Sequence, residues 1–202
     1  GFAAFLRNDL QSRPFRLIEK DALKVELDRE LGEEGPVKVI GNIPFNITSP
    51  LLEWLVSQRR FVREAVLTVQ WEVAQRLGAR PGTKAWGALT LFVQVYSEVR
   101  VLRRIGRSHF FPPPNVDSAV IRLVFSEIPR IAAGDEEIFF FLIHRAFQKR
   151  RKTILNALKD ESSRDLNRAA LTEILGKAGI HPVRRPETLS IEEWAGLAAL
   201  IA

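Results

Sequence analysis

Asn42, Pro44 and Phe45 bring three kinds of chemistry into four consecutive positions. An Asn side chain and a backbone carbonyl both accept hydrogen bonds, which is what the exocyclic amine of a base offers. Proline fixes the backbone that aims its own carbonyl. A Phe ring gives a planar base a face to stack on. The tetrad Asn42-Ile43-Pro44-Phe45 follows an apolar run, residues 37–40, that reads as a short buried strand, and it precedes Thr48-Ser49-Pro50, which reads as a helix start. In open α/β sheets, ligands bind at the carboxyl ends of strands, where such a turn would lie. Asn and Pro are also frequent in turns that bind nothing, so the tetrad alone fits a plain strand-to-helix connection as well.

Other groups could serve the same chemistry. Phe110-Phe111-Pro112-Pro113-Pro114 is a proline-stiffened loop, able to hold an aromatic in place at small entropic cost. By composition it is equally a rigid connector. Arg145, Lys149, Arg150, Arg151 and Lys152 are five positive charges with no acid between them. Read as a helix face they would repel one another, which a polyanion would relieve; a solvated face is the ordinary alternative. Arg100, Arg103, Arg104 and Arg107 form a second basic group, suited to phosphate contacts. Asp21, followed by Ala22-Leu23 after a predicted strand, suits a helix cap.

Bulk properties narrow the classes. The chain of 202 residues suffices for one core and a small satellite. A net charge of +6 favours nucleic acid or another anionic surface as partner. The absence of Cys excludes disulfides and cysteine nucleophiles, and three His leave little for a zinc site. No apolar run approaches the ~20 residues of a membrane span, and no signal-peptide pattern opens the chain.

The elements that must position these residues follow from periodicity. Residues 1–12 predict a short amphipathic helix, and 15–19 a strand. Residues 26–36 predict a helix-to-loop passage, 37–40 a strand, and 50–58 a helix capped by Thr48 or Ser49 with Pro50 at its first position. A strand over 65–70 and a helix over 71–78 follow. Next come a turn over 79–84, a helix over 85–96, and strands over 98–105 and 118–125. After residue 130 the texture becomes helical, with helices over 135–149 (continuing or restarting through 159) and 164–178. A last helix begins at Ser190, where Ser190 and Glu193 form a capping box and Leu189 and Trp194 a hydrophobic staple. Alternating strands and helices predict a doubly wound α/β domain over 1–130. Residues 131–202 predict a small all-α domain that carries the basic run, a surface suited to a polyanion such as RNA.

Residues 42–51 resemble the corresponding stretch of the KsgA (RsmA) family of ribosomal RNA small-subunit adenine dimethyltransferases. Residues 110–120, Phe147–Thr153 and 70–87 are similar to further stretches of that family, in one order along essentially the whole chain. The resemblance implies a Rossmann-like sheet that uses S-adenosyl-L-methionine (SAM), and dimethylation of adenine amines in small-subunit ribosomal RNA during ribosome biogenesis. It implies Asn42, Pro44 and Phe45 as catalytic residues, and Asp21, Ala22 and Asn42 at the cofactor. It further implies Phe45 and Phe110 stacking on the target base, Phe111 lying at a position that varies in the family. RNA contacts would come from Lys149, Arg150, Arg151, Lys152, Arg103 and Arg104. No metal is implied. The partner would be the pre-30S particle, met by a cytoplasmic monomer without a membrane.

The family opens with a Gly-rich βα turn and an acid for the cofactor ribose. Gly32-Glu33-Glu34-Gly35 follows no strand and is not that turn. With no Met in the chain, the sequence is therefore expected to be truncated at its N-terminus, incomplete in its cofactor half, and weakly active or inactive. Two rival functions remain open at this point: a large-subunit ribosomal RNA adenine methyltransferase of the macrolide-resistance type, and a non-catalytic rRNA-binding assembly factor.

Overall fold

The computed structural model describes residues 1–10, 12, 14–32, 35–132, 134–149, 151–160 and 166–201. They divide into two compact units, Gly1–Gly35 and Pro36–Ala202.

The first unit holds helix α1 (Phe2–Asp9), a 3-10 turn at Ala22–Lys24 and helix α2 (Leu27–Leu31). Glu30 ties it together. Its carboxylate accepts from Lys20 Nζ at 2.8 Å and from Arg16, which also reaches the Glu30 carbonyl. The Lys20 ammonium, above all, holds the Glu30 carboxyl below the usual carboxylate range. The strand expected over 15–19 is not formed. That segment has no regular secondary structure and pairs with no strand among the described residues, and Phe15 is exposed. Alternation makes a segment fit for a sheet, but a strand exists only where a neighbour takes its backbone groups.

The second unit is built on a four-stranded sheet. Its strands are β1 (Val37–Asn42), β2 (Val62–Gln70), β3 (Ser97–Ile105) and β4 (Ser118–Phe125), in the spatial order β1-β2-β4-β3. β1 and β2 run parallel, joined by helix α3 (Thr48–Ser57). β4 runs antiparallel to both β2 and β3. Period-two burial sorts the two faces: Ala65, Leu67, Val69, Ile121 and Leu123 are buried, and the alternate residues are half-exposed or polar. On that second face, three strands meet in an ion network. Glu64 of β2 accepts from Lys38 Nζ of β1 at 2.8 Å and from Arg122 Nε of β4 at 2.6 Å. These two cations, Lys38 first, hold the Glu64 carboxyl below its ordinary range. At Val101/Arg103 the β3–β4 register shifts by a bulge.

Helix α4 (Trp71–Leu77) follows β2 directly, and α5 (Ala88–Gln94) follows the 79–84 turn. The turn itself has Gly82 at φ +85°, the left-handed region that glycine enters at no steric cost. The predicted helix over 85–96 is thus shorter than expected. Trp86 lies ahead of it, with its indole N–H donating to the Leu189 carbonyl at 3.0 Å. α3 begins earlier than predicted. Thr48 is its first residue, Pro50 its third, and the Thr48 hydroxyl donates to the Phe45 carbonyl at 3.2 Å. Proline is tolerated there because the first four N–H groups of a helix have no intrahelical partner.

The C-terminal part is helical: α6 (Glu136–Gln148), α7 (Ile154–Leu158), α8 (Arg168–Lys177) and α9 (Ile191–Ala199). The capping box forms as expected. Glu193 N–H donates to Ser190 Oγ at 3.2 Å, and Ser190 N–H to Glu193 Oε2 at 2.8 Å. These helices do not stand apart from the sheet. Trp86, Leu91 and Tyr96 share one core with Phe139, Leu142, Ile154, Leu171 and Trp194. Backbone bonds from Gly82 to Glu187 (2.7 Å) and from Arg130 to Val95 (3.0 Å) reinforce it. The change of texture near residue 130 is real, but the packing runs through it.

Candidate active site

The sheet register brings the chemistry to one end. Asn42, last in β1, is level with Thr68 of β2, which is level with Val120 of β4. Ser118, first in β4, is level with Gln70 of β2 and Ile105 of β3. The carboxyl ends of β1, β2 and β3 and the amino end of β4 therefore lie together. The turn after Asn42 and the loop between β3 and β4 leave from the same sheet end, two to three strand spacings (~10–15 Å) apart.

The turn is fixed by its backbone. Ile43 N–H donates to the Thr68 carbonyl at 3.2 Å, carrying the pairing one residue past the strand. Ile47 N–H donates to the Pro44 carbonyl at 3.1 Å, closing a 3-10 turn over Phe45–Ile47. A carbonyl has two lone pairs, so the Pro44 oxygen keeps one for a ligand. Asn42 is exposed, and its side-chain amide makes no hydrogen bond among the described residues. Phe45 is half-buried. At Gly41 a Cβ would lie 2.6 Å from the Ile43 Cδ1 tip, so glycine leaves room for Ile43 to fold back under the turn.

The proline loop is anchored by a residue to which the sequence reading gave no role. Asp117 Oδ2 accepts from Arg104 Nε at 2.9 Å and Nη2 at 2.6 Å, and Oδ1 accepts from Arg107 N–H at 3.1 Å. Its carbonyl accepts Trp71 N–H, the start of α4, at 2.9 Å. The Arg104 guanidinium lies over the Trp71 ring, 4.9 Å from its centre. Arg104 foremost, then the Arg107 N–H, keeps the Asp117 carboxyl below the ordinary carboxylate range. Asp117 was within reach of sequence reasoning, as the acid closing a loop that opens with arginines. The Trp71 contact was not. Phe110 is half-buried, while Phe111 is fully exposed.

The other expected residues divide. Asp21 caps the 3-10 turn at Ala22–Lys24, its Oδ1 accepting from Leu23 N–H at 3.1 Å, and Oδ2 is left over. Asp21 and Ala22 belong to the Gly1–Gly35 unit, and Asn42, Phe45 and Phe110 to the other. Lys149, Arg151 and Lys152 are exposed, in a turn after α6 and not within a helix as expected. Cations at a helix C-terminus are favoured by its dipole. Arg150 lies outside the described residues. Arg145, read as a fifth free cation, is committed. It donates to the Leu158 carbonyl at 2.9 Å, the Lys159 carbonyl at 3.0 Å and Asp160 at 3.0 Å, binding α6 to α7. Phe147 lines a cleft of about 580 Å³ together with Arg76, Lys84 and Thr90.

Comparison with known proteins decides the family. A family model described as ribosomal RNA adenine dimethylase matches residues 1–196. The chain belongs to that family. Among its dimethylase relatives, a protein of Clostridium acetobutylicum named ribosomal RNA small subunit methyltransferase A is 45% identical over 186 residues. That alignment takes in 91% of this chain and 66% of the relative. A protein of the same name from Moorella thermoacetica is 42% identical, over 91% of this chain and 65% of its own length. The chain thus spans just under two thirds of the curated relatives it matches. In fold it is similar to a dimethyladenosine transferase of Plasmodium falciparum, with a TM-score of 0.79 and 23% identity. That match takes in 96% of this chain and 78% of the other. It is also similar to the 23S rRNA methyltransferase ErmE, with a TM-score of 0.72 and 24% identity, over 99% and 78%. The Rossmann-like methyltransferase fold, with its helical C-terminal part, is the one expected of the dimethylases.

Proposed function

We propose that this dimethylase transfers methyl groups from SAM to the exocyclic amine of adenines in small-subunit ribosomal RNA, giving dimethyladenine. The observation that carries the reading is the free Asn42 amide beside a Pro44 carbonyl with a spare lone pair, on a backbone fixed at the end of β1. Taken singly, each within its own unit, the residues expected at the cofactor carry suitable hydrogen-bonding groups. Asp21 has one carboxylate oxygen uncommitted, beside the backbone of Ala22, and Asn42 has an unpaired amide. When bound, SAM supplies an electrophilic methyl group.

This chain's own residues do the rest. The adenine amine shares its lone pair with the ring. Hydrogen bonds from the amine to the Asn42 oxygen and the Pro44 carbonyl favour a pyramidal nitrogen and return the lone pair to it. Phe45 and Phe110 stack on the base and offset the cost of unstacking it from RNA. With both partners held, the remaining barrier is lowered by alignment for in-line attack. Lys149, Arg151, Lys152 and Arg103, together with Arg150, supply phosphate contacts. The same reading makes the pre-30S particle the partner and the protein a cytoplasmic monomer. Small-subunit RNA is preferred over large-subunit RNA because the relatives at 45% and 42% identity bear the small-subunit name, whereas the ErmE likeness speaks for the fold alone.

Asn42→Ala, made in a protein of the full length of its relatives, tests the assignment. Transfer of labelled methyl from SAM to unmethylated small-subunit particles should fall by at least about a hundredfold, the usual loss when a pre-aimed polar group is removed. Retention of particles on a filter should be nearly unchanged. Full transfer by the variant would remove Asn42 from the mechanism.

A further inference from the structure

Phe111 is 100% exposed, while its neighbour Phe110 is half-buried. A bare ring on a mobile tail would mean little. This one stands on a loop with three successive prolines, and Asp117 pins the loop through Arg104 and the Arg107 N–H. A segment so ordered loses little freedom on binding. The loop leaves the sheet at the end that carries Asn42. Phe111, Phe110, Arg107 and Ser108 border a hollow of about 620 Å³, open to solvent. The exposed cation Arg107 is on its rim, and exposed Arg103 lies in the strand that leads into the loop, which suits a polyanion better than an apolar protein surface.

We propose that Phe111 is a wedge that enters the base stack of the RNA beside the adenine held by the Asn42 turn. The inference rests on the functional reading above. Taking an adenine out of a stack leaves a gap with two uncovered base faces. Proteins that unstack bases fill such gaps with exposed apolar side chains. Phe110 and Phe111 then divide the work: the half-buried ring lines the pocket of the extruded base, and the exposed ring occupies the place it left.

The test measures filter-binding affinity of the 202-residue chain for transcribed, unmethylated small-subunit ribosomal RNA across a salt series. Phe111→Ala should bind about ten- to a hundredfold more weakly, the range for losing one base–aromatic stack. Its melting temperature should match the wild type, since the ring is solvent-exposed. The slope of log affinity against log salt should also be unchanged, because no phosphate contact is lost. Phe111→Trp should restore affinity. Arg103→Ala should instead reduce the slope by about one. An alanine variant within about twofold of wild type, or a loss that tryptophan does not rescue, overturns the wedge and leaves the methyltransferase reading standing. A wild-type chain that shows no salt-dependent binding to this RNA overturns both.

Discussion

Arg104 and Arg151 look alike in the sequence, each inside a run of cations, yet the structure uses them differently. Arg104 is spent on the fold, with its guanidinium chelated by Asp117 and laid on Trp71. Arg145 is spent in the same way on two carbonyls and Asp160. Arg151 stands in solvent with Lys149 and Lys152, and no ion pair joins these three among the described residues. A positive run marks a nucleic-acid surface only after its internally matched members are subtracted. Arg104 was expected at RNA, and the structure pairs it with Asp117, whereas its neighbour Arg103 is exposed.

Three measurements would break or sharpen that contrast. The largest effect is expected from replacing Lys149, Arg151 and Lys152 together by Ala. RNA affinity should fall, and the slope of log affinity against log salt should shrink by about 2–3, since each phosphate contact contributes about 0.7–0.9. The thermal transition should not move. A large fall in melting temperature would show that these cations are structural after all. Next is Arg145→Ala, which should act the other way round. It removes the guanidinium donor to the Leu158 and Lys159 carbonyls and to Asp160 and should cost about 1.5–3 kcal/mol in denaturant titration. The salt slope should stay as in the wild type, and a decrease of one unit would return Arg145 to the RNA surface.

The smallest effect concerns the third matched set, Lys38, Arg122 and Glu64. Folding lowers the Glu64 pKa, so its contribution is fully present above the unfolded carboxyl value of about 4.3 and is lost as pH falls through the lower folded value. Melting curves of wild type and Glu64→Gln between pH 7 and 3 should therefore differ most at neutral pH and converge in acid. Parallel curves would show that the network has no linkage to folding.

How much of this could be read from residues alone depends on range. The Asn42 turn, β1, β2, β4 and the Ser190–Glu193 cap rest on neighbours a few positions apart, and they stand as expected. The failed strand at 15–19 depended on a partner that periodicity cannot supply. α3 starts early with the Thr48 hydroxyl reaching back to Phe45, and composition leaves the two adjacent cap candidates, Thr48 and Ser49, tied. Arg145 was misread because its acceptors lie thirteen to fifteen positions ahead, beyond the end of its own helix. Asp117 was read only as part of a loop, because its partners come from β3, the turn after it and α4.

The bulge at Val101/Arg103 settles which of two adjacent arginines is free. Residues level across a ladder project to one face. With Leu102 as the extra residue, Arg103 is level with Val120 and Arg104 with Ala119. Arg104 is thereby turned to the side of the sheet where Ala119 is buried and the Trp71 ring lies beneath its guanidinium. In an uninterrupted ladder Arg103 would oppose Ala119 and the two arginines would exchange faces. One inserted residue thus acts as a phase setting for the strand, assigning Arg104 to hold the loop and turning Arg103 to the opposite face.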